Sequence, residues 1–289
     1  MNNLRLTNTV GRSGQNQARD VRLVRALLNV HRRAYAQPPL AIDPSAGHEL
    51  DAAIALFQSD HGVAVASGLI RPDSQSWAWL QQTLANSRTH QSIVPPTKGR
   101  LTWEAEGHEG GRYHSRILHV PSASSGLTIG RGYDLKERSR AEVTRDLAAA
   151  GLAPDRATVL AGAVHLAGEA AEQFIIDQDL LDFEITPGVQ LALFETVYEA
   201  MEQDVIRICT KRDVVERYGR TDWGTLDARI RDTLVDLRFR GDYTPVTRRQ
   251  IQPPVVANDL VAFRQVMGQQ SLWSRVPADR FQRRVRYLA

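Results

Sequence analysis

The sequence predicts a mainly α chain of the α+β class: a small three-helix domain, then a domain in which a short β-hairpin lobe precedes a helical bundle. Three observations predict this. Apolar residues recur at helical spacing before residue 86 and again after Ser139. Between these stretches lies a segment, Leu101 to Leu135, rich in Gly, Ser and His and carrying short β-prone pieces. Ahead of it, a polar run ending in Pro95-Pro96-Thr97-Lys98-Gly99 reads as a linker. The expected boundaries are therefore residues 1–88 for the first domain, 89–100 for the linker and 101–289 for the second domain.

In chain order, Asp20 is placed to cap a first helix whose apolar stripe is Val21, Val24, Leu27 and Leu28. Pro38-Pro39-Leu40 ends it. Leu50, Ile54 and Phe57 form the stripe of a second helix that stops near Gly62, and Trp77 and Leu80 belong to a short third one. In the second domain, Ile117-Leu118-His119-Val120 and Leu127-Thr128-Ile129 read as strands. Ser139 with Glu142 forms a capping box ahead of Val143 and Leu147, and Gly151 is placed to end that helix. Further helices are expected around 159–166, 170–180, 189–208, 226–239, 260–267 and 280–288.

Composition narrows the class. Of 289 residues, 42% are hydrophobic and 24% charged, which suits an ordinary packed core and argues against extensive disorder. Cys209 is the only cysteine, so the chain can form no internal disulfide and no cysteine-based zinc cluster; it reads as a small buried apolar side chain. No apolar run is long enough to span a bilayer, and Met1-Asn2-Asn3-Leu4-Arg5 lacks the apolar core of a secretory signal. The net charge of +3 is a mild bias towards anionic polymers. Arg280 to Arg286 forms an Arg-rich end that reads first as a solvated helix face and second as a basic patch.

Chemistry concentrates in two short segments. Trp103-Glu104-Ala105-Glu106-Gly107-His108-Glu109-Gly110-Gly111 offers three acids beside a tryptophan. A carboxyl that donates a proton near neutral pH needs such a shielded setting, and a second polar group must hold water on the other side of the bond to be broken. Ser125-Gly126-Leu127-Thr128-Ile129-Gly130-Arg131-Gly132-Tyr133-Asp134-Leu135 supplies a hydroxyl and a carboxylate around a glycine-bearing turn. His108, His114 and His119 raise a zinc site, but their spacing does not match the arrangement that puts two histidines and a glutamate on one helical face; no metal and no cofactor is expected. Trp223 and Tyr243 read as core.

Two resemblances give these segments a context. Residues 8 to 84, with Gly11, Asn16, Asp20-Val21, Leu27-Leu28-Asn29, Ala53-Ile54, Phe57-Gln58, Gly68, Asp73, Trp77 and Leu80, resemble the three-helix peptidoglycan-binding domain of bacterial and phage wall hydrolases. The loop Asp43-Pro44-Ser45-Ala46-Gly47-His48-Glu49 departs from that family's Asp-Gly and Gly-x-x-Thr pattern. Residues 101 to 135 resemble the catalytic lobe of phage-type lysozymes and, more closely, of pesticin-like muramidases. That resemblance implies Glu106, in Glu106-Gly107, as the acid, with Thr128 and Asp134 handling water. Glu104 and Glu109 are the alternative acids, and Pro121-Ser122-Ala123-Ser124 lacks the further acid of the phage enzymes. Tyr113, His114, Arg116 and Tyr133 are then expected along the sugar groove.

The implied function is a peptidoglycan muramidase held on its polymer by the first domain, as a weak tethered site would hold it. The other readings are a non-catalytic wall-binding protein and a metal-dependent peptidoglycan amidase. Without a secretory signal, such a chain is made in the cytoplasm and reaches the wall as a phage endolysin behind a holin, or as an antibacterial effector exported into a rival's periplasm. The expected partners are peptidoglycan and, in the second setting, an immunity protein and a secretion apparatus. Nucleic acid and stable membrane insertion are not expected, and the chain is expected to be a monomer.

Overall fold

The computed structural model describes residues 4–89, 91–110 and 114–289. The described residues are mainly helical, as the periodicity predicts, with two small antiparallel sheets, one of which is the expected hairpin. The order begins β1 (Val10–Gly11), α1 (Ala18–Ala34), α2 (His48–Asp60), β2 (Leu69–Ile70), α3 (Gln75–Asn86) and α4 (Arg100–Glu106). It continues with β3 (Thr128–Ile129), β4 (Tyr133–Asp134), α5 (Arg140–Ala149), α6 (Pro154–Leu160), α7 (Gly168–Asp177) and α8 (Pro187–Cys209). It ends with α9 (Arg212–Tyr218), α10 (Ala228–Arg240), α11 (Pro245–Val256), α12 (Leu260–Met267) and α13 (Ala278–Leu288). Among the described residues no helix is long and apolar enough to cross a membrane.

The chain forms two compact units, and neither is continuous in sequence. The first comprises Met1–Ser92 and His108–Gln190; the second comprises Ile93–Gly107 and Leu191–Ala289. This division differs from the sequence-based one at residues 88 and 101. The three amino-terminal helices share a unit with the β lobe and α5 to α7 because charged residues tie them together. Arg33 donates to Asp179 at 2.6 Å and to both oxygens of Asp182 at 2.6 and 2.8 Å, and Asn29 donates to Asp179 at 3.1 Å. Thr89, inside the expected linker, is bonded through its backbone N–H and its hydroxyl to Glu184.

In the first unit, Val21, Val24, Leu27, Leu28, Leu50, Ile54, Phe57 and Leu80 are all buried, so the helical stripes are oriented as the spacing predicts. Asp20 is a correction. Helix α1 begins two residues before it with Gln17 as its cap, and Asp20 is fully buried, taking hydrogen bonds from Thr7 and Asn8. Its carboxylate pins the segment before the helix, and its own helix end goes without a side-chain cap. The helix also ends at Ala34, before Pro38. The short sheet pairing Val10 with Ile70 and Gly11 with Leu69 has no counterpart in the expected elements. The Ser139–Glu142 capping box is present at α5. Ile117–Val120 forms only single bridges, Ile117 to Glu184 and His119 to Thr128.

The second unit is built on one apolar core. Trp103 of α4 packs edge-to-face on Phe194 of α8 at 5.0 Å, and Leu234, Leu237, Ile251, Phe263 and Leu288 close around them. A ring pair of this kind contributes ~1 kcal/mol beyond the area it buries. Cys209 is buried and lies 3.2 Å from the Tyr243 hydroxyl, which in turn donates to Gln252 at 2.7 Å. Tyr243 is core, as its sequence context suggests, and Trp223 is partly buried against the same core.

Candidate functional site

The glycine-bearing motif folds into a short hairpin of the first unit. Thr128 pairs directly with Asp134, and Ile129 with Tyr133. The turn between them runs through Gly130 and Gly132 at φ +63° and +92°, which L side chains adopt only with strain. Gly126 serves a different purpose. A Cβ there would lie 2.3 Å from Asp134 Oδ1, so only glycine lets its backbone N–H reach the Asp134 carboxylate, at 3.3 Å. The other Asp134 oxygen accepts from Lys136 N at 2.8 Å. Each oxygen keeps a lone pair for a further donor, such as water.

Thr128 is 5% exposed, and its hydroxyl lies 3.4 Å from the Gly126 carbonyl, a weak bond. On its other side Thr128 exchanges backbone hydrogen bonds with His119, at 2.8 and 3.1 Å. Cross-strand partners project to one face of a ribbon, so His119, Thr128 and Asp134 form a row. Burial holds His119 below the usual histidine range, against the smaller opposing effects of its bond to the Ile117 carbonyl and the Asp134 charge. Its ring is therefore neutral at neutral pH.

The turn leads into a buried charge cluster. Arg131 donates from the tip of the hairpin to Glu109 at 3.2 Å, Arg116 donates to the same carboxylate at 2.9 Å, and Gln190 donates at 2.7 Å. Burial by itself would raise the Glu109 pKa, but the bonds from Gln190 and Arg116 and the neighbouring charges outweigh it, and Glu109 is held below the usual carboxylate range. His114 accepts from the Gly110 N–H through Nδ1 at 2.8 Å, so its proton sits on Nε2 and is donated to Glu184 at 2.9 Å. Glu184 also contacts Arg116 at 2.9 Å. Burial again works against ionisation, and the Thr89 and His114 bonds reverse it, so Glu184 too is lowered.

This cluster corrects three expectations. His114 and Arg116 are 2% and 1% exposed, so both are turned into the unit rather than along a groove. Tyr133 is fully buried, donating to Asp146 at 2.9 Å with Arg138 stacked 4.2 Å over its ring, and burial pushes its hydroxyl pKa up. Glu109 is turned into the cluster, where both of its oxygens accept hydrogen bonds from Arg116, Arg131 and Gln190. Tyr113 lies outside the described residues.

Glu106 belongs to the second unit. It is the last residue of α4, and Gly107 follows in extended backbone. Its Oε1 accepts from Arg280 at 2.5 Å, while among the described residues no donor reaches Oε2. Arg280 also donates to the buried Asp236 at 2.6 Å, and Arg284 donates to the other Asp236 oxygen at 2.6 Å. Desolvation would lower the Arg280 pKa, but Asp236 and Glu106 raise it above the ordinary value, so the cation is permanent. Trp103, one turn earlier, points into the core. Glu104 is 43% exposed and pairs with Arg100 and Arg283, an open setting for a proton donor.

Sequence reasoning missed Glu184, Gln190, Arg131, Asp236 and the inward turn of Arg280. The only available signal was periodicity: Arg280 and Arg284 are one helical turn apart, as are Asp232 and Asp236. Among the described residues no group of three or more histidines, cysteines or acids is arranged to hold a metal ion. Residues 99–285 match the model of a family described as a domain of unknown function, DUF8812. A comparison with curated proteins gives no match.

Proposed function

We propose, for a chain that belongs to the DUF8812 family, a function read from its own residues: a peptidoglycan muramidase in which Glu106 is the general acid and Thr128 and Asp134 position water. The observation that carries this reading is the hairpin, where the Thr-Ile-Gly-x-Gly-Tyr-Asp run sets Thr128 directly opposite Asp134.

The chemistry follows from the residues. Glu106, once it has taken a proton on the oxygen turned away from Arg280, gives that proton to the oxygen of the β-1,4 bond between N-acetylmuramic acid and N-acetylglucosamine as that bond breaks. The charge left on Glu106 falls beside Arg280, whose other hydrogen bond to Asp236 fixes its guanidinium before the reaction begins. Asp134 accepts a proton from water as the water oxygen bonds to the anomeric carbon of N-acetylmuramic acid that the leaving oxygen vacates, and the Thr128 hydroxyl orients that water. The amino-terminal helices act as the wall anchor, raising the local concentration of enzyme on an insoluble polymer. In this reading the chain acts in the periplasm or wall, as an endolysin or as an exported antibacterial effector.

The test is digestion of purified Gram-negative peptidoglycan by the wild type and by Glu106→Gln, with mass spectrometry of the products. Disaccharide-peptides with reducing N-acetylmuramic acid ends are expected from the wild type alone. Equal release by the variant overturns the assignment of the acid, and products cut at an amide bond overturn the muramidase reading.

A further inference from the structure

We infer that a cavity on the second unit, lined by Arg100, Leu101, Glu104, Arg283, Arg286 and Tyr287, binds a free carboxylate of the peptidoglycan peptide stem. The identity of the polymer rests on the muramidase reading; the oxyanion chemistry does not.

The Arg-rich helix α13 divides its arginines between two tasks. Arg280 and Arg284 turn inward, where Asp236, Asp242 and Glu106 take their hydrogen bonds. Arg283 and Arg286 instead line a cavity of about 260 Å³ together with Arg100. Three guanidinium groups face it against one carboxylate, Glu104. That carboxylate is divided, taking Arg100 Nε at 2.9 Å on one oxygen and Arg283 Nη1 at 3.4 Å on the other. Arg286 has no side-chain hydrogen bond or ion pair among the described residues, and Arg283 Nε is buried with no acceptor. The Tyr287 hydroxyl is committed to Asp232.

Such a site is short of negative charge and rich in directed N–H donors, and a guanidinium fork fits a carboxylate with two parallel bonds. The volume is just below the usual range for small-molecule sites of roughly 300 Å³ and more, enough for one amino-acid-sized acidic group. The half-buried Tyr287 ring offers apolar surface for a methyl or methylene beside the acid. Peptide stems present such groups on every disaccharide, so the site lets the enzyme distinguish stem-bearing from bare glycan.

The test is calorimetry on the full chain with two soluble probes: a disaccharide-tetrapeptide from digested wall, and the same disaccharide after amidase removal of its peptide. The tetrapeptide fragment is expected to bind about tenfold tighter, the effect of one charge-assisted hydrogen-bonded contact. Arg286→Gln is expected to erase most of that difference. Glu104→Gln, which removes the competing carboxylate, is expected to widen it. Arg212→Gln, the same charge change at a 91% exposed position outside the cavity, is expected to leave it unchanged. Equal binding of the two probes, an Arg286→Gln variant that behaves as the wild type, or a Glu104→Gln variant that loses affinity overturns the inference. So does displacement of the fragment by inorganic phosphate at much lower concentration than by acetate, which would mark a phosphate site. Reducing-end release from intact walls is read separately: its absence alongside Arg286-dependent fragment binding sinks the muramidase reading and supports the site, and the converse does the opposite.

Discussion

Glu106 and Glu109 stand three residues apart, each followed by glycine, and the fold gives them opposite fates. Both oxygens of Glu109 are taken by donors from Arg116, Arg131 and Gln190. Glu106 has one oxygen on Arg280 and the other without a donor among the described residues. The first carboxylate is a structural anion; the second keeps an oxygen available for chemistry. A Glu-Gly pair therefore says little by itself. What separates the two is the number of buried donors that other elements bring to each.

The largest test of this contrast is Glu106→Gln. It is expected to cost about 10²- to 10⁴-fold in wall hydrolysis, the usual contribution of a general acid, with the thermal midpoint within a few degrees of the wild type. A variant that loses its fold along with its activity would make Glu106 structural like its neighbour. Glu109→Gln is the reverse experiment. It leaves Arg116 and Arg131 buried beside a neutral group, and is expected to lose about 3–5 kcal/mol of stability by urea unfolding. The same variant reads the pH dependence. Glu109 and Glu184 titrate below the ordinary 4.5 in the folded state, so their contribution is complete above that value and is lost as pH falls through the folded pKa values. Wild-type stability should drop on acidification below about pH 4.5, and Glu109→Gln should flatten that drop.

Smaller effects sharpen the picture of the hairpin. Gly126→Ala forces a methyl against the Asp134 carboxylate and should cost roughly 1–3 kcal/mol, as overpacking does, with a matching loss of hydrolysis. Tyr133→Phe removes one hydrogen bond to Asp146 and should cost about 1 kcal/mol while leaving hydrolysis intact. A large fall in substrate affinity from that variant would return Tyr133 to the sugar.

Local signals were legible and distant ones were not. The Ser139–Glu142 box, the limits of α12 and the stripe of α1 follow from residues within one or two turns of each other. The hairpin was legible for the same reason, since its glycines and its pairing are contained in seven residues. Asp20 misled because a buried acid at a helix start and a capping acid look alike until Thr7 and Asn8 are seen to use it. Pro253 and Pro254 hid α11, which accommodates both in its last turn behind a Thr244–Thr247 capping box. The sequence suggests His114 and Arg116 along the sugar groove because their partner Glu184 is about seventy positions away.

The pairing of Glu106 with Arg280 spans 174 positions in the chain. During synthesis the hairpin's residues are all present long before the last helix emerges, at rates of about 5–20 residues per second. The second unit cannot close on α4 until α10 and α13 are made, and long-range closure of this kind is slow. A nascent chain therefore carries Thr128 and Asp134 for many seconds before Glu106 acquires its arginine. Pulse-labelled hydrogen exchange during refolding should show the hairpin protected first and α4 last, so that the proposed acid is among the last parts of the molecule to be assembled.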